Sequence, residues 1–230
     1  MLYVVATPIG NLGDITLRAL ESLKSADLIA AEDTRHSTLM LKHFEIKKPL
    51  ISFHEHNEAM RTARLVERLA AGENIALITD AGTPGVSDPG ARLIRECIKR
   101  GLPLTIVPGP SSILTALVGS GFEMEKFCFR GFLPAKSGQR QRELRAAAER
   151  EETTIFFESP HRLTKTLAAG AEIMPERQLC VARELTKKFE DFRRGTAAEL
   201  LAFYSARPLK GEIVLVVEGS KIKPRKSSLC

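Results

Sequence analysis

Short, almost wholly apolar segments alternate with longer amphipathic stretches through the first half of the chain. Such segments have no polar face, so each is typical of a strand that is buried on both sides. Separated by helices, they predict a parallel α/β sheet. The predicted strands cover Leu2 to Pro8, Ala26 to Asp33, Leu50 to Phe53, Asn74 to Asp80 and Pro103 to Gly109, with helices near residues 14–25, 37–44, 58–71 and 91–100.

The pattern changes after Gly121, and a chain of 230 residues has room for two small domains. We therefore predict a first α/β domain over residues 1–120, a second over 121–220, with the boundary near 118–125, and a basic tail over 221–230. Strands are predicted at Phe127 to Leu133, Thr153 to Ser159, Gln178 to Glu184 and Glu212 to Gly219, with helices near residues 137–152, 163–171 and 197–205.

The net positive charge of the chain comes entirely from residues 111–230. Residues 1–110 carry 13 basic and 13 acidic side chains, whereas residues 111–230 carry 21 and 15, so the whole net charge of +6 lies there. This asymmetry favours a polyanionic partner such as nucleic acid. A solvated basic surface explains the same counts, and composition does not separate the two.

Several classes of protein are disfavoured by what the sequence lacks. No apolar run approaches the roughly 20 residues that a membrane helix needs, and the start of the chain has no basic flank typical of a secretory signal. The four cysteines have neither metal-site nor disulfide-framework spacing. The sequence predicts a cytoplasmic protein with free thiols, no membrane partner and no metal.

Three loops rich in glycine and proline follow predicted strands: TPIGNLGD from Thr7, TDAGTPGVSDPG from Thr79, and VPGPSS from Val107. The carboxyl ends of parallel strands form the ligand crevice of open α/β sheets. Glycine lets the backbone approach a ligand closely. The three loops together predict a small-molecule site, and none of them is a GxGxxG or Walker A loop.

These loops also carry a resemblance, together with AAEDTRH from Ala30, GFLPAK from Gly131, ESPHR from Glu158, ARELTK from Ala182 and KGEIVLVVEG from Lys210. The eight motifs resemble the tetrapyrrole methylase superfamily, and within it the branch that methylates small-subunit ribosomal RNA. The resemblance implies a two-domain α/β fold, with a parallel sheet in the N-terminal domain and a mixed sheet in the C-terminal domain. It also implies a homodimer, and S-adenosylmethionine bound in a cleft between the domains.

The resemblance further implies which residues contact S-adenosylmethionine. Thr83 stands where the family has an aspartate, and Asp80 lies three residues earlier, so either could make that contact. Members of this branch also commonly continue with a basic helical segment after the last strand. Loss of such a segment would mainly weaken RNA binding, because phosphate contacts would be lost. The implied cofactor residues are Pro8, Leu12, Asp80, Ala81, Gly82, Thr83, Ser111, Ser112, Glu158, Leu185 and Gly211.

The reaction implied by the resemblance is attack of a cytidine 2′-hydroxyl in the decoding centre on the sulfonium methyl group. A general base helps because a hydroxyl is a very weak acid. Asp33, His54 and Glu184 are equal candidates, although Asp33 could instead cap a helix and Glu184 could pair with Lys187. The predicted RNA-binding residues are Arg35, Lys136, Arg140, Arg162, Arg183 and Lys187.

Two other functions stay open from sequence. One is a relative that methylates a small tetrapyrrole precursor, which the basic second half disfavours. The other is a non-catalytic RNA-binding factor that retains a cofactor pocket.

Overall fold

The computed structural model describes residues 1–206 and 209–220. The chain divides into two compact units, the first ending at Ser111 and the second beginning at Ser112. The first unit alternates strands and helices, and a short 3-10 helix, Leu12–Asp14, follows its first strand. Its elements are β1 (Leu2–Val5), α1 (Leu17–Ser25), β2 (Leu28–Ala31), α2 (Thr34–His43), β3 (Leu50–Ser52), α3 (Glu58–Ala70), β4 (Ile75–Ile78), α4 (Ala91–Lys99) and β5 (Leu104–Val107).

The five strands of the first unit form one parallel sheet in the order β3-β2-β4-β1-β5. Successive residues of β1 face opposite sides, so Val4 joins the apolar cluster around Phe53 and Leu65, while Val5 joins the one around Leu23. Both faces of the sheet are therefore buried, and the predicted parallel sheet is confirmed.

The second unit holds a mixed sheet in the order β6-β7-β10-β8-β9, with one parallel pair, β6 and β7. The mixed sheet that the resemblance implied is thus confirmed. Its elements are α5 (Ser112–Ser120), β6 (Phe127–Phe132), α6 (Ser137–Glu149), β7 (Thr153–Glu158), α7 (Leu163–Ile173), β8 (Gln178–Arg183), β9 (Asp191–Thr196), α8 (Ala197–Ser205) and β10 (Ile213–Val217).

Two elements of the second unit were absent from the sequence prediction, α5 and β9. The guanidinium of Arg194 on β9 donates to the carbonyl oxygens of Ser120 and Gly119 at the end of α5. A Cβ at Gly119 would collide with the Phe192 ring, so the helix approaches β9 closely because position 119 has no side chain. These contacts explain why α5 belongs to the second unit, whereas the sequence analysis placed the boundary near residues 118–125.

The order of strands brings the candidate site residues to one edge of each sheet. In the first unit the segments after β1 to β5 all leave the carboxyl edge. In the second unit Ile213 pairs with Glu158 on one side and with Arg183 on the other, so the ends of β7 and β8 meet the start of β10.

In the described part of the chain, no helix is long and apolar enough to cross a membrane. The basic tail predicted for residues 221–230 lies outside the described residues.

Candidate functional site

The loops after β1 and β4 are joined by backbone hydrogen bonds. The N–H of Thr7 donates to the carbonyl of Gly82 at 2.9 Å, and the N–H of Gly82 donates back to Thr7 at 3.1 Å. The Thr7 hydroxyl donates to the carbonyl of Thr79. Gly82 has φ of +77°, a left-handed conformation that glycine adopts without strain. Two of the predicted cofactor loops therefore form one rigid structure.

The other residues of the first unit that were predicted to bind the cofactor lie near these joined loops. Pro8 is buried beside Thr7, whereas Leu12 is partly exposed in the short 3-10 helix that Asn11 caps. At the end of β5, a Cβ on Gly109 would come within 3.0 Å of the Ala6 side chain, so the β5 loop lies directly against the first loop. Ser111 closes the first unit.

Acidic residues connect the ends of β2 and β4. The N–H of Asp33 donates to the Asp80 carboxylate at 3.1 Å, and the N–H of Asp80 donates to the Glu32 carboxylate at 3.4 Å. Asp80 therefore links the two loops and has a defined structural partner. Thr83 lies further along the same loop, where its carbonyl accepts from the N–H of Val86. Asp80 and not Thr83 carries the carboxylate at this edge.

Asp33 is the N-cap of α2, the structural alternative noted from the sequence. Its carboxylate accepts from the backbone N–H of Arg35 at 2.8 Å and from the Arg35 guanidinium at 3.1 and 2.7 Å. These bonds from the Arg35 side chain and backbone hold the pKa of Asp33 well below its usual range. A carboxylate with so low a pKa is a weak proton acceptor.

Glu32 lies at the same sheet edge, directly after β2, and was not ranked among the general bases predicted from the sequence. Burial raises the pKa of its carboxyl group, as do the negative charges of Asp80 and Asp33, against the opposing effects of the Asp80 N–H and His54. A raised pKa makes a carboxylate a better proton acceptor near neutral pH. The feature of the sequence that could have identified Glu32 is its position directly after β2, a strand of apolar residues that are all buried.

His54 follows β3 and is fixed by Asn57. The N–H of His54 donates to the Asn57 side-chain oxygen at 2.9 Å, and the Asn57 amide nitrogen lies 3.1 Å from His54 Nε2. The amide also donates to the Ser52 hydroxyl. His54 Nδ1 is buried, and no hydrogen-bond partner for it lies within residues 1–206 and 209–220.

Glu158 is the last residue of β7, and its buried carboxylate accepts hydrogen bonds at both oxygens. It accepts from the Thr166 hydroxyl at 2.5 Å, from the N–H of Ser159 at 2.7 Å and from the Arg162 guanidinium at 3.0 Å. The carboxylate thus attaches the start of α7 to the end of β7. The fold tolerates a buried carboxylate at this position only because several hydrogen-bond donors compensate its charge.

Glu184, Lys187 and Gly211 lie together at the same edge of the second sheet. The Glu184 carboxylate accepts from the N–H of Glu212 at 3.0 Å and from Lys187 Nζ at 3.1 Å, and Lys187 also pairs with the Glu212 carboxylate. Burial raises the pKa of Glu184, but the bonds from Glu212 and Lys187 outweigh it and lower that pKa overall. The ion pair considered from the sequence is therefore present.

The backbone of this loop is held in an uncommon conformation. Glu184 and Thr186 have φ of 51° and 64°, in the left-handed region that side chains rarely adopt. The N–H of Thr186 donates to the Glu190 carboxylate at 2.6 Å, and Leu185 between them is buried. Such strain persists where surrounding contacts fix the loop, and it is typical of ligand-binding segments.

The residues predicted to bind RNA differ in their surroundings. Lys136 is exposed at the start of α6, and Arg35 is 90% exposed despite its pairing with Asp33. Arg162 and Arg183 are half-buried. Arg140, by contrast, is only 6% exposed, and its guanidinium donates to the carbonyl of Ala135 at 3.0 Å, so this arginine stabilises the GFLPAK loop and has no free path to a phosphate.

The loops at the carboxyl edge of the first sheet carry groups that fit S-adenosylmethionine chemically. The Asp80 carboxylate is an acceptor for hydroxyl and ammonium groups. The joined loops around Gly82 present backbone rather than bulky side chains. The donors and acceptors that a nucleoside with an amino-acid group needs are therefore present in these loops.

Comparison with known proteins finds methyltransferases both by sequence and by structure. The family model described as Tetrapyrrole (Corrin/Porphyrin) Methylases matches residues 1–201. A Synechocystis protein named Ribosomal RNA small subunit methyltransferase I is 48% identical over 99% of this chain and 82% of its own length. The Haemophilus influenzae protein of the same name is 50% identical over 95% of this chain and 78% of its own. The crystal structure of a Thermus thermophilus uroporphyrin-III-C-methyltransferase shares the fold, with a TM-score of 0.67, 22% identity, and coverage of 94% and 93% of the two chains.

Proposed function

The chain belongs to the tetrapyrrole methylase family, and from that premise we propose that it transfers the methyl group of S-adenosylmethionine to small-subunit ribosomal RNA. The observation that carries this proposal is identity of 48% and 50% to two relatives whose shared name specifies that reaction, over nearly the whole chain. The excess of basic residues after residue 110 supports a polyanionic substrate.

We propose that the acceptor atom is the 2′-hydroxyl oxygen of a cytidine in the decoding centre. A new bond forms between that oxygen and the methyl carbon, the bond from carbon to sulfur breaks with its electron pair moving to sulfur, and the hydroxyl proton passes to a base. S-adenosylmethionine supplies a methyl group that its sulfonium already activates. The protein must then orient the hydroxyl and accept its proton.

Two sets of loops support cofactor binding. In the first unit the joined loops would hold the cofactor through Pro8, Leu12 and the segment Asp80 to Thr83. In the second unit the backbone around Glu158, Leu185 and Gly211 meets at one sheet edge. Ser111 and Ser112 connect the two units. The buried Glu158 carboxylate acts on the protein itself, so any contact there is to its backbone or neighbours.

We propose Glu32 as the residue that accepts the proton. It lies between Asp80 and His54 at the carboxyl edge of the first sheet, and its carboxylate receives one long hydrogen bond from Asp80. The three bases predicted from sequence have other partners. Asp33 caps α2 and binds Arg35, Glu184 binds Lys187, and His54 is fixed by Asn57.

Among the predicted RNA-binding residues, Arg35 and Lys136 are exposed, Arg183 is half-buried, and Arg162 is half-buried and paired with Glu158. Guanidinium groups suit phosphate because they donate two parallel hydrogen bonds. Lys187 is paired with two carboxylates, whose negative charges reduce its attraction for a phosphate. The exposed cations Arg35 and Lys136 support a substrate held by its phosphates and ribose.

Two further proposals concern the setting of the enzyme. Cytoplasmic location is supported by the cysteines of the described residues, Cys97, Cys128 and Cys180, which are all free and suit a reducing compartment. A homodimer is supported by apolar side chains exposed on the edge strand β6, where Phe127 and Phe132 are 41% and 58% exposed. A molar mass near twice 25.3 kDa in solution would agree with the dimer.

The test is transfer of label from radiolabelled S-adenosylmethionine to intact small ribosomal subunits, naked ribosomal RNA and a tetrapyrrole precursor, offered in parallel. We expect label in RNA at a position that resists alkaline cleavage, because a 2′-O-methyl group blocks attack by that oxygen. Label only in the tetrapyrrole would overturn the proposal. Cofactor and RNA binding without transfer would instead indicate a non-catalytic RNA-binding factor.

A further inference from the structure

A lysine-lined cleft lies in the first unit, away from the loops described above. Its volume is about 860 Å³, and it is formed by the last turns of α1 and α2 and by the segment that leads into β3. Four lysines and one glutamate surround it. Its lining residues are Lys24, Thr38, Leu41, Lys42, Glu45, Ile46, Lys47, Lys48 and Leu50.

The cleft has a defined shape because α2 ends in a Schellman motif. The N–H of Ile46 donates to the carbonyl of Leu41 at 2.8 Å, and the N–H of Glu45 donates to that of Lys42 at 3.1 Å. Glu45 has φ of 56°, where glycine is the usual residue. Leu41 and Ile46 are buried, so the motif fixes the position of the segment that carries Lys47 and Lys48.

The lysines of the cleft have no acidic partner among the described residues. Every ion pair found within residues 1–206 and 209–220 uses other cations, and Glu45 pairs with none of the four. A cation in the last turn of a helix is favourable by itself, which accounts for Lys24 and Lys42. It does not account for Lys47 and Lys48, which follow the helix. Four unpaired cations around one cleft create a local positive field.

The cleft lies at the opposite end of the sheet from the candidate catalytic residues. Lys47 and Lys48 precede β3, whereas Glu32 and His54 follow β2 and β3. A four-residue strand separates the two edges by about 13 Å. A group bound in the cleft therefore lies too far from the candidate catalytic residues to react there. If it belongs to the substrate, the substrate must be a long molecule.

We propose that this cleft binds the phosphate backbone of the ribosomal RNA substrate, several nucleotides from the methylated ribose. The inference rests on the proposed function, because RNA is the polyanion on which the enzyme acts. Consecutive phosphates carry one charge each and are neutralised by lysines as counterions are released. Residues 1–110 carry no net charge, but four of their five lysines line this one cleft, so this part of the chain has its own site for a polyanion.

The test compares two double charge reversals of equal size. Lys42→Glu with Lys47→Glu alters the cleft, and Lys99→Glu with Lys165→Glu is the matched control, because both control lysines are exposed and outside the ion pairs described. Each variant is assayed for label transfer to small ribosomal subunits at several salt concentrations. We expect the cleft variant to raise KM for the subunits roughly tenfold, and to reduce the slope of log affinity against log salt by about two.

Three readouts distinguish the cleft from a general effect. kcat at saturating subunits and the affinity for S-adenosylmethionine should stay within about twofold of wild type, since the cleft is remote from the reacting atoms. The control should leave KM within about twofold. Glu45→Gln, which removes the one negative charge of the cleft, should lower KM.

Equal KM values for the cleft variant and its control would overturn the inference while leaving the proposed function intact. Failure of the wild-type protein to label any RNA would overturn the proposed function itself. Thermal denaturation of both variants shows whether a loss of affinity reflects unfolding.

Discussion

The backbone N–H of Asp80 donates a hydrogen bond to the carboxylate of Glu32, with 3.4 Å between nitrogen and oxygen. This bond joins the end of β4 to the end of β2. It holds the partly buried Glu32 carboxylate near two other acidic residues, Asp80 and Asp33. A protein keeps such a group at a cost in stability, which is typical of functional sites.

Replacement of Glu32 by glutamine should reduce kcat for RNA methylation by roughly 10²- to 10⁴-fold, the usual contribution of a general base. The affinity for S-adenosylmethionine, measured by calorimetry, should change little because glutamine keeps the acceptor for the Asp80 N–H. Glu21→Gln on α1 is the control, since this glutamate is exposed. A Glu32→Gln variant with wild-type kcat would assign proton transfer to another residue.

The pH dependence of kcat should report the same group. A base acts only when it is ionised, so activity should fall as the pH drops through its pKa. Because the pKa of Glu32 is raised from 4.5, this fall should occur at higher pH than an ordinary glutamate gives. The acidic limb should disappear in Glu32→Gln. An unchanged limb in that variant would contradict the assignment.

The same substitution should stabilise the fold at pH 7 but not at pH 4. A carboxyl group whose pKa is raised on folding favours the folded state below its unfolded pKa and loses that contribution as the pH rises through the folded pKa. At pH 7 the wild-type protein therefore carries an unfavourable charge that glutamine lacks. Thermal denaturation of both proteins at the two pH values measures the difference, and equal shifts in Tm would contradict it.

Two buried threonines should respond in opposite directions to the same substitution. The Thr166 hydroxyl donates to the buried Glu158 carboxylate at 2.5 Å, whereas the Thr62 hydroxyl in α3 is buried without a hydrogen-bond partner within the described ranges. Thr166→Val should cost about 1–3 kcal/mol, because it removes a donor from a buried charge. Thr62→Val should be neutral or stabilising. Urea denaturation of both variants decides this, and equal costs would show that the Glu158 contact contributes nothing.

The architecture was predictable where each segment carried its own signal. The apolar runs at β1 and β4 are buried on both faces, and their composition alone indicates this. β9 has the sequence DFRRGT, without an apolar run, and becomes a strand because it pairs with β8 along six residues. α5 directly follows a proline-rich loop and is held by Arg194, 74 residues away from Ser120. Contacts so distant in sequence leave no local pattern.

The site was predictable as a set of loops but not as a set of roles. The resemblance selected the segments that the structure brings to the sheet edges, such as Glu158 and Arg183 beside Ile213. It did not show that the Glu158 carboxylate is enclosed or that Arg140 is internal. Both properties depend on side-chain partners from other elements. Glu32 was not among the predicted bases for the same reason, since its raised pKa comes first from burial in the folded chain, which the local sequence does not reveal.

Position 211 should accept no residue other than glycine without a loss of stability. Gly211 has φ of 94°, and a Cβ there would overlap the Glu184 carboxylate. Gly211→Ala should therefore cost about 1–3 kcal/mol of backbone strain and displace Glu184 from the N–H of Glu212. Gly138→Ala in α6 is the matched control. Its Cβ would meet open space, and alanine should stabilise that helix by up to about 1 kcal/mol. Similar denaturation midpoints for the two variants would contradict the prediction.

Lys136 and Arg140, four residues apart in the same basic stretch, should separate RNA binding from folding. Arg140 is buried and donates to the carbonyl of Ala135, so Arg140→Met should lower the free energy of unfolding by about 1–3 kcal/mol as that carbonyl loses its donor. Lys136 is exposed, and Lys136→Ala should change stability by less than about 0.5 kcal/mol.

RNA affinity should show the reverse order. Lys136→Ala should weaken binding of small ribosomal subunits and reduce the slope of log affinity against log salt by about one, as expected when one phosphate contact is lost. Arg140→Met, measured below its unfolding temperature, should keep the wild-type salt slope because the buried guanidinium contacts no phosphate. A reduced slope in Arg140→Met with an unchanged slope in Lys136→Ala would mean that the GFLPAK loop opens on RNA and exposes Arg140, since burial and phosphate contact exclude each other in this conformation.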